Sequence, residues 1–288
     1  MRAIAILSQK GGCGKTTTSV NLADALATDG FRVLLVDLDP QSHATLASGL
    51  DPYDDERGNL YDVLMAPEGD GDLAAISVSV AENLDVAPSG VILLALEQKL
   101  ASERHDSRTL RLATAVDGLS SRYDFVFFDC PPNTGLLTFS ALRAASEVIV
   151  PLETSAFALD GARRLFETIE ILSQRIGHRP TVRVLPSLYD GRRRFARRTL
   201  GAIREQYKDL CFDSIIRVNV KLQEAAEQGV PISRYAPGSN GAADFAALAI
   251  EVEAAPRCEA QTPASTIHGR RVSIGQPSVT PLFSGSAN

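Results

Sequence analysis

Eight residues near the start of the chain could cradle a phosphate: Lys10-Gly11-Gly12-Cys13-Gly14-Lys15-Thr16-Thr17. Glycines at 11, 12 and 14 let the backbone curl around an anion with its N–H groups pointing inward. A helix opening at Lys15 would add its dipole and its free N–H donors. Lys15 can reach the β- and γ-phosphates of a nucleotide, and the Thr16 hydroxyl suits Mg²⁺. A second cation, Lys10, stands five residues before Lys15. That is too much charge for one cradle unless Lys10 serves a different phosphate group. The bland alternative is a glycine-rich turn from strand to helix, which so many fixed residues in this order disfavour.

Two acidic segments could complete such a site. Residues 33–41 are an apolar run that ends in Asp37 and Asp39, and residues 125–132 are another that ends in Asp129. In open α/β sheets ligands bind at the carboxyl ends of the strands. A carboxylate placed there can hold Mg²⁺ through its water shell, the role assigned to Asp129. The bland reading of the Asp37–Asp39 pair is a strand-capping turn. Cys130 reads as packing, the default for a buried thiol. Further on, Arg192, Arg193, Arg194, Arg197 and Arg198 flank Phe195 and Ala196. Five arginines in seven residues exceed ordinary surface mixing, although most charge runs are solvated helix faces.

These residues need a scaffold, and the pattern supplies one. Residues 3–8, 32–37, 84–87, 124–129, 147–151 and 181–185 read as strands. Their continuous apolar runs imply burial on both faces. Helical patterns lie at 15–28, 109–121, 134–145 and 161–176. Such alternation predicts an α/β fold, a mostly parallel doubly wound sheet with helices on both faces. Loops are expected at 67–72 and 233–241, rich in Gly, Pro and Asp. Of residues 256–288, 15 are Pro, Ser, Thr or Gly, so that stretch is read as a disordered tail behind a domain spanning 1–255.

Composition narrows the field. The 288 residues are 44% hydrophobic and 22% charged, which excludes a disordered or fibrous chain. No apolar run reaches membrane-spanning length. The four cysteines have no paired or metal-like spacing, so a reduced, cytoplasmic setting is the expectation. A net charge of −6 argues weakly against a dedicated nucleic-acid binder. The sum hides an asymmetry: residues 179–198 hold seven arginines and one acid, Asp190.

The phosphate loop departs from the usual pattern, with Gln9 where glycine is common and the extra Lys10 beside it. In this it resembles the deviant Walker A motif of the ParA/MinD family of P-loop ATPases. The resemblance continues through residues 16–23, Asp39-Pro40-Gln41, a Walker B-like 125–132, residues 135–138, 156–161 and 218–225. It implies a P-loop NTPase fold, ATP and Mg²⁺ as cofactors, and slow hydrolysis to ADP and phosphate. Lys10 would cross a dimer interface to the other subunit's nucleotide, much as an arginine finger does. With Lys15 and the water-organising Asp39 it makes the catalytic set. Gly11, Gly12, Cys13, Gly14, Lys15, Thr16, Thr17 and Asn219 would bind nucleotide, and Thr16, Asp37 and Asp129 the metal. Ser42-His43 and Arg217-Val218 depart from the family's usual residues.

Within that family the resemblance points to ParA/Soj-like members. These form an ATP-dependent homodimer, bind DNA non-specifically, and meet a ParB-like or cargo-adaptor protein that stimulates hydrolysis. The DNA contacts would be Arg192, Arg193, Arg194, Arg197, Arg198 and Lys221, and the location cytoplasmic and nucleoid-associated. The chain reads as the form without an N-terminal extension. A MinD-like membrane regulator is disfavoured, because no basic amphipathic helix can be drawn at the end of the sequence. An ATP-dependent metabolic enzyme of the same fold, such as a cobyrinic acid or dethiobiotin synthase, and a nucleotide-gated scaffold that barely hydrolyses remain as alternatives.

Overall fold

The computed structural model describes residues 1–54, 56, 58–66, 71–100 and 105–256. Seven strands build one sheet: β1 (Arg2–Ile6), β2 (Val33–Asp37), β3 (Val78–Ala81), β4 (Leu84–Ala87), β5 (Phe125–Asp129), β6 (Glu147–Glu153) and β7 (Thr181–Ser187). Their order is β3-β4-β2-β5-β1-β6-β7, parallel throughout except for the antiparallel edge strand β3. Before β5 lie helices α1 (Lys15–Thr28), α2 (His43–Ala47), α3 (Leu60–Met65), α4 (Leu73–Ile76), α5 (Leu93–Leu100) and α6 (His105–Asp117). After it come α7 (Leu136–Ala144), α8 (Ala158–Ile176), α9 (Arg194–Tyr207), α10 (Val220–Glu227), α11 (Ile232–Tyr235) and α12 (Asn240–Ala254).

Side chains alternate across each strand, so a fully apolar strand feeds two cores. Ala3, Ala5, Leu34, Val36, Val126 and Phe128 join a cluster with residues of α3, α6, α7 and α8. Ile4, Ile6, Val33, Leu35, Phe125 and Phe127 join the opposite one with α1, α10 and α12. The doubly wound sheet expected from the alternation is what forms.

The differences are local. β3 escaped the pattern because it is a four-residue edge strand, half-exposed, with a register shift at Ser79/Ala81. Asn83, in the left-handed region at φ 61°, turns it into β4. The helix expected at 109–121 starts at His105 and stops at Asp117, ahead of Gly118. The one expected at 134–145 waits until Leu136, and the one at 161–176 begins at Ala158. The expected loop 233–241 is mostly helix: α11 ends at Tyr235, and Ser239 caps α12 by accepting the Ala242 N–H at 3.2 Å. Short polar pieces such as these are set by tertiary contacts more than by composition. Of the other loop, residues 67–70 lie outside the described residues, and Asp72 caps α4. The stretch read as a tail lies outside them from residue 257 onward, Cys258 included.

One buried ion pair ties the sheet to the last helix. Arg2 Nε and Nη2 donate to the two oxygens of Glu147 at 2.6 and 2.7 Å, and Arg2 Nη1 donates to the Val252 carbonyl at 2.5 Å. Both residues are 6% exposed. Removing one partner of a buried pair strands the other charge, at a cost of about 3–5 kcal/mol. Glu147→Gln should therefore lower unfolding free energy by about that much in urea titration, whereas Arg2→Met combined with Glu147→Met should recover most of it. Equal loss in both variants would show that the pair itself, not the stranded charge, holds these elements together.

Candidate nucleotide site

The loop between β1 and α1 is open on its concave side. Gly12 and Gly14 take positive φ, 71° and 92°, which side chains other than glycine's rarely adopt. A Cβ built on Gly11, Gly12 or Gly14 would meet no atom within 4 Å, so the loop's glycines border open space. Gly14 is the N-cap of α1 and offers no side-chain cap, leaving the helix's first N–H groups for an anion. Lys15 is buried there, while the Ser187 hydroxyl donates to the Cys13 carbonyl at 2.9 Å and anchors the loop to β7. Cys13 is itself buried, so the small apolar reading of that position suffices.

Register brings the acids to the same place. Asp37 on β2 pairs in register with Asp129 on β5, and Asp129 with Ile6, the last residue of β1. Asp129 is fully buried. Its Oδ2 accepts from Thr16 Oγ1 at 2.8 Å and its Oδ1 from Ser19 Oγ at 2.7 Å. Ser19 was not singled out in the sequence; its place one turn after Thr16 on α1 is the signal that could have found it. Asp37 Oδ2 accepts from the Thr45 backbone and hydroxyl, both at 2.8 Å, and its Oδ1 from the Asp39 N–H at 3.0 Å. Asp39 accepts the Gln41 N–H at 3.0 Å and stands in the loop that follows β2. Thr45 also escaped the sequence reading, because it orders Asp37 from the next helix.

Desolvation, helped by the neighbouring Asp129 charge, pushes the Asp37 carboxyl up to about 8. Desolvation likewise raises Asp129 to about 6, against the hydroxyls of Ser19 and Thr16 and the charge of Lys15. Burial also lifts the Cys130 thiol well above its ordinary range, which leaves it protonated and inert. A hard cation suits this oxygen-rich set of Thr16, Asp37 and Asp129, since it would replace the protons that burial now favours.

The remaining expected residues stand elsewhere. Lys10 lies outside the cradle: its Nζ donates to Glu153 and, at 3.3 Å, to Ser155 Oγ beside a cavity of about 360 Å³. The Thr17 carbonyl accepts from Asn21 Nδ2 at 2.7 Å, and Asn21 in turn accepts the Ile232 N–H at 2.7 Å, tying α1 to α11. Asn219 caps α10, accepting the Lys221 N–H at 3.0 Å. Arg192, Arg193, Arg194, Arg197 and Arg198 are all exposed. Asp190 pairs with Arg192 and Arg193, and Arg194, Arg197 and Arg198 open α9. Tyr189 pairs in parallel with Arg217, so the chain segments that lead to Arg192 and to Lys221 run side by side at that point. Lys221 is held by Glu224 at 2.7 Å.

A family described as an AAA domain matches residues 1–182. The sporulation initiation inhibitor protein Soj of Bacillus subtilis is 38% identical over 255 residues, covering 88% of this chain and 98% of that protein. The chromosome partitioning protein ParA of Myxococcus xanthus is 36% identical over 254 residues, 87% of each chain. Among solved structures, cobyrinic acid a,c-diamide synthase from Mycobacterium smegmatis with bound ADP and magnesium is 35% identical. It covers 72% of this chain and 83% of its own, with a TM-score of 0.65. The septum site-determining protein MinD of Pyrococcus horikoshii, complexed with Mg-ADP, is 26% identical over 88% of this chain and 96% of its own, with a TM-score of 0.68.

Both buried carboxyls titrate higher folded than unfolded. Their contribution to stability is complete below about pH 4 and is lost as pH rises through 6 and then 8. Metal-free protein should therefore be less stable at pH 8 than at pH 6 in urea titration. Asp37→Asn should flatten that slope, and millimolar Mg²⁺ with nucleotide should reverse it. An unchanged slope in the variant would exclude the buried acids as its source.

Proposed function

This chain belongs to the ParA/MinD family of P-loop ATPases, and on that footing we propose that it hydrolyses ATP as a nucleotide-dependent homodimer that binds DNA without sequence preference and positions a cargo. The observation that carries the reading is the convergence of Lys15, Thr16 and Asp129 under a bare glycine loop, with a second lysine held outside it. Lys15 and the N–H groups of residues 11–17 bind the phosphates. Thr16, Asp129 and Asp37 are the residues that would hold Mg²⁺, which would supply charge to offset that of the phosphates. Asp39 orients the attacking water, a role its position after β2 supports. Asn219 adds a contact to the nucleotide from α10.

Lys10 is held by Glu153 and Ser155 on its own chain. We assign it to the other subunit's phosphates once two chains face each other, where it offsets charge that a single cradle leaves unmatched. Such pairing doubles the basic edge formed by Arg192, Arg193, Arg194, Arg197, Arg198 and Lys221, so DNA affinity follows ATP through dimerisation. First-turn arginines oppose the dipole of α9, a local cost that a phosphate backbone would relieve. The cargo would be a plasmid, a chromosome origin or a protein assembly, and a ParB-like or adaptor protein would stimulate slow turnover. The location that follows is cytoplasmic and on the nucleoid, with residues 1–255 as the ATPase domain. Likeness to the structure named cobyrinic acid a,c-diamide synthase supports a second reading, an ATP-dependent enzyme that amidates a carboxylate.

DNA affinity measured against salt with ATP, ADP and no nucleotide separates the two. The partitioning reading expects tight, sequence-indifferent binding only with ATP, and a steep loss with salt as phosphate contacts release counterions. Arg192→Ala and Lys221→Ala should each lower the salt slope by about 1 without affecting ATP-dependent dimerisation. No ATP-dependent binding at low salt would favour the amidating enzyme.

The nucleotide roles separate by variant. Lys15→Ala should abolish ATP binding. Lys10→Ala should keep nucleotide binding in the monomer while losing dimerisation and turnover. Asp39→Ala should give a long-lived ATP dimer that stays on DNA. Wild-type turnover by either of the last two variants would remove that residue from the mechanism.

A further inference from the structure

Among the described residues, one buried side-chain oxygen has no hydrogen-bond partner: Oε1 of Glu97. Buried carboxylate oxygens are nearly always paired, and an exception calls for a physical reason. Glu97 lies on α5, next to Leu96 and one turn after Leu93, both fully buried in the cluster that also holds Leu137 of α7. Its carboxylate therefore sits over the start of α7. A Cβ built on Gly135 would fall 2.5 Å from Glu97 Oε1 and 3.2 Å from Asn133 Oδ1. Gly135 has φ −83°, which any residue adopts, so its missing side chain is explained by room for the carboxylate and not by backbone freedom.

The start of α7 has the complementary deficit. Gly135 is its N-cap and supplies no side-chain acceptor to the first-turn N–H groups. The six residues 130–135 join Asp129, which grips α1 through Thr16 and Ser19, to this helix. Thr138 Oγ1 already ties the segment to α7 by donating to the Asn133 carbonyl at 2.7 Å. An unpartnered acceptor and uncapped donors thus meet at the outer end of the segment whose inner end is Asp129.

We infer that Glu97 is a positioning residue for this reaction: its free oxygen takes a backbone N–H of the α7 first turn when nucleotide draws segment 130–135 inward, and so fixes that segment for hydrolysis. The inference rests on the ATPase reading above. A bond from a backbone N–H to a carboxylate is charge-assisted and among the stronger ones a short segment can make. Segments that answer to a γ-phosphate gain order through a few such bonds.

The test uses the full chain. Glu97→Ala should lower kcat for ATP about tenfold or more with KM within about twofold, the loss of one charge-assisted bond. Glu97→Gln keeps an acceptor oxygen and should retain most of the rate. Gly135→Ala should displace the carboxylate and match Glu97→Ala, with little further loss in the double variant, because both remove one interaction. Hydrogen exchange supplies the readout independent of turnover. Mg-ATP should slow exchange at Leu136–Thr138 in the wild type and not in Glu97→Ala. Equal protection by Mg-ATP in both proteins, or additive losses in the double variant, overturns the inference. A wild type that gains this protection without turning over ATP overturns the hydrolysis reading alone.

Discussion

The carboxylate of Asp129 is fully buried at the carboxyl end of β5, and both its oxygens accept hydroxyls from α1. A buried carboxylate without such donors would be costly to keep. The bonds in turn fix the rotation of α1 about its axis, since Thr16 and Ser19 lie three apart on one face. That rotation decides where Lys15 and the first-turn N–H groups point. It also explains why α1 is crowded with buried polar residues. Thr18 bonds back to the Gly14 carbonyl at 2.7 Å, Asn21 links Thr17 to Ile232, and Asp24 holds Ser233 and Arg234. Each is satisfied, so α1 is fixed by polar contacts as firmly as by its apolar side.

The same contacts tie the phosphate loop to the C-terminal helices through α1. Its N-terminal end carries the phosphate loop, and its middle grips α11. Tyr235 of α11 donates to Glu224 at 3.0 Å, and Glu224 holds Lys221 on the basic edge. Pro231 and Gly229 shape the turn between α10 and α11. Gly229 sits at φ 65° with the Gly49 Cα 2.8 Å from where its Cβ would be, so the turn after α2 and this one close on each other through two glycines. From the nucleotide loop to Lys221 the contacts thus run through packed helices, without a long loop in between.

How much of this was legible in the sequence depended on range. Strands β2 and β5 and helix α1 could be placed because burial on both faces writes continuous apolar runs, and because Gly14 and Gly30 bracket the helix. The phosphate loop was legible because its chemistry is local. Thr45 was not, since it orders Asp37 from the next helix, and Ser19, whose carboxylate lies 110 residues away, is marked only by standing one turn after Thr16 on the same face of α1. β3 was missed for the opposite reason, since an edge strand needs little apolar sequence. The arginine run was legible as composition, whereas the pairing of Tyr189 with Arg217, which joins the segments ahead of it and ahead of Lys221, is a tertiary contact that composition does not announce.

Lys10 shows how a local motif and a tertiary contact can carry different information. The motif sets a second cation beside the phosphate loop; the structure gives that cation an internal partner, Glu153, at the last residue of β6. The lysine side chain is 59% exposed and the glutamate 30%. A pair this open is worth only about 0–1 kcal/mol, because water screens it and two long side chains must be held still. Phosphate oxygens in a water-excluded interface are a stronger competitor, since the same charges interact there at lower effective dielectric. In the dimer proposed above, Glu153 would therefore hold Lys10 only loosely in a lone chain and would not oppose a second nucleotide. The lysine thus stays solvated and weakly tied to its own chain, which is compatible with the role proposed for it across an interface.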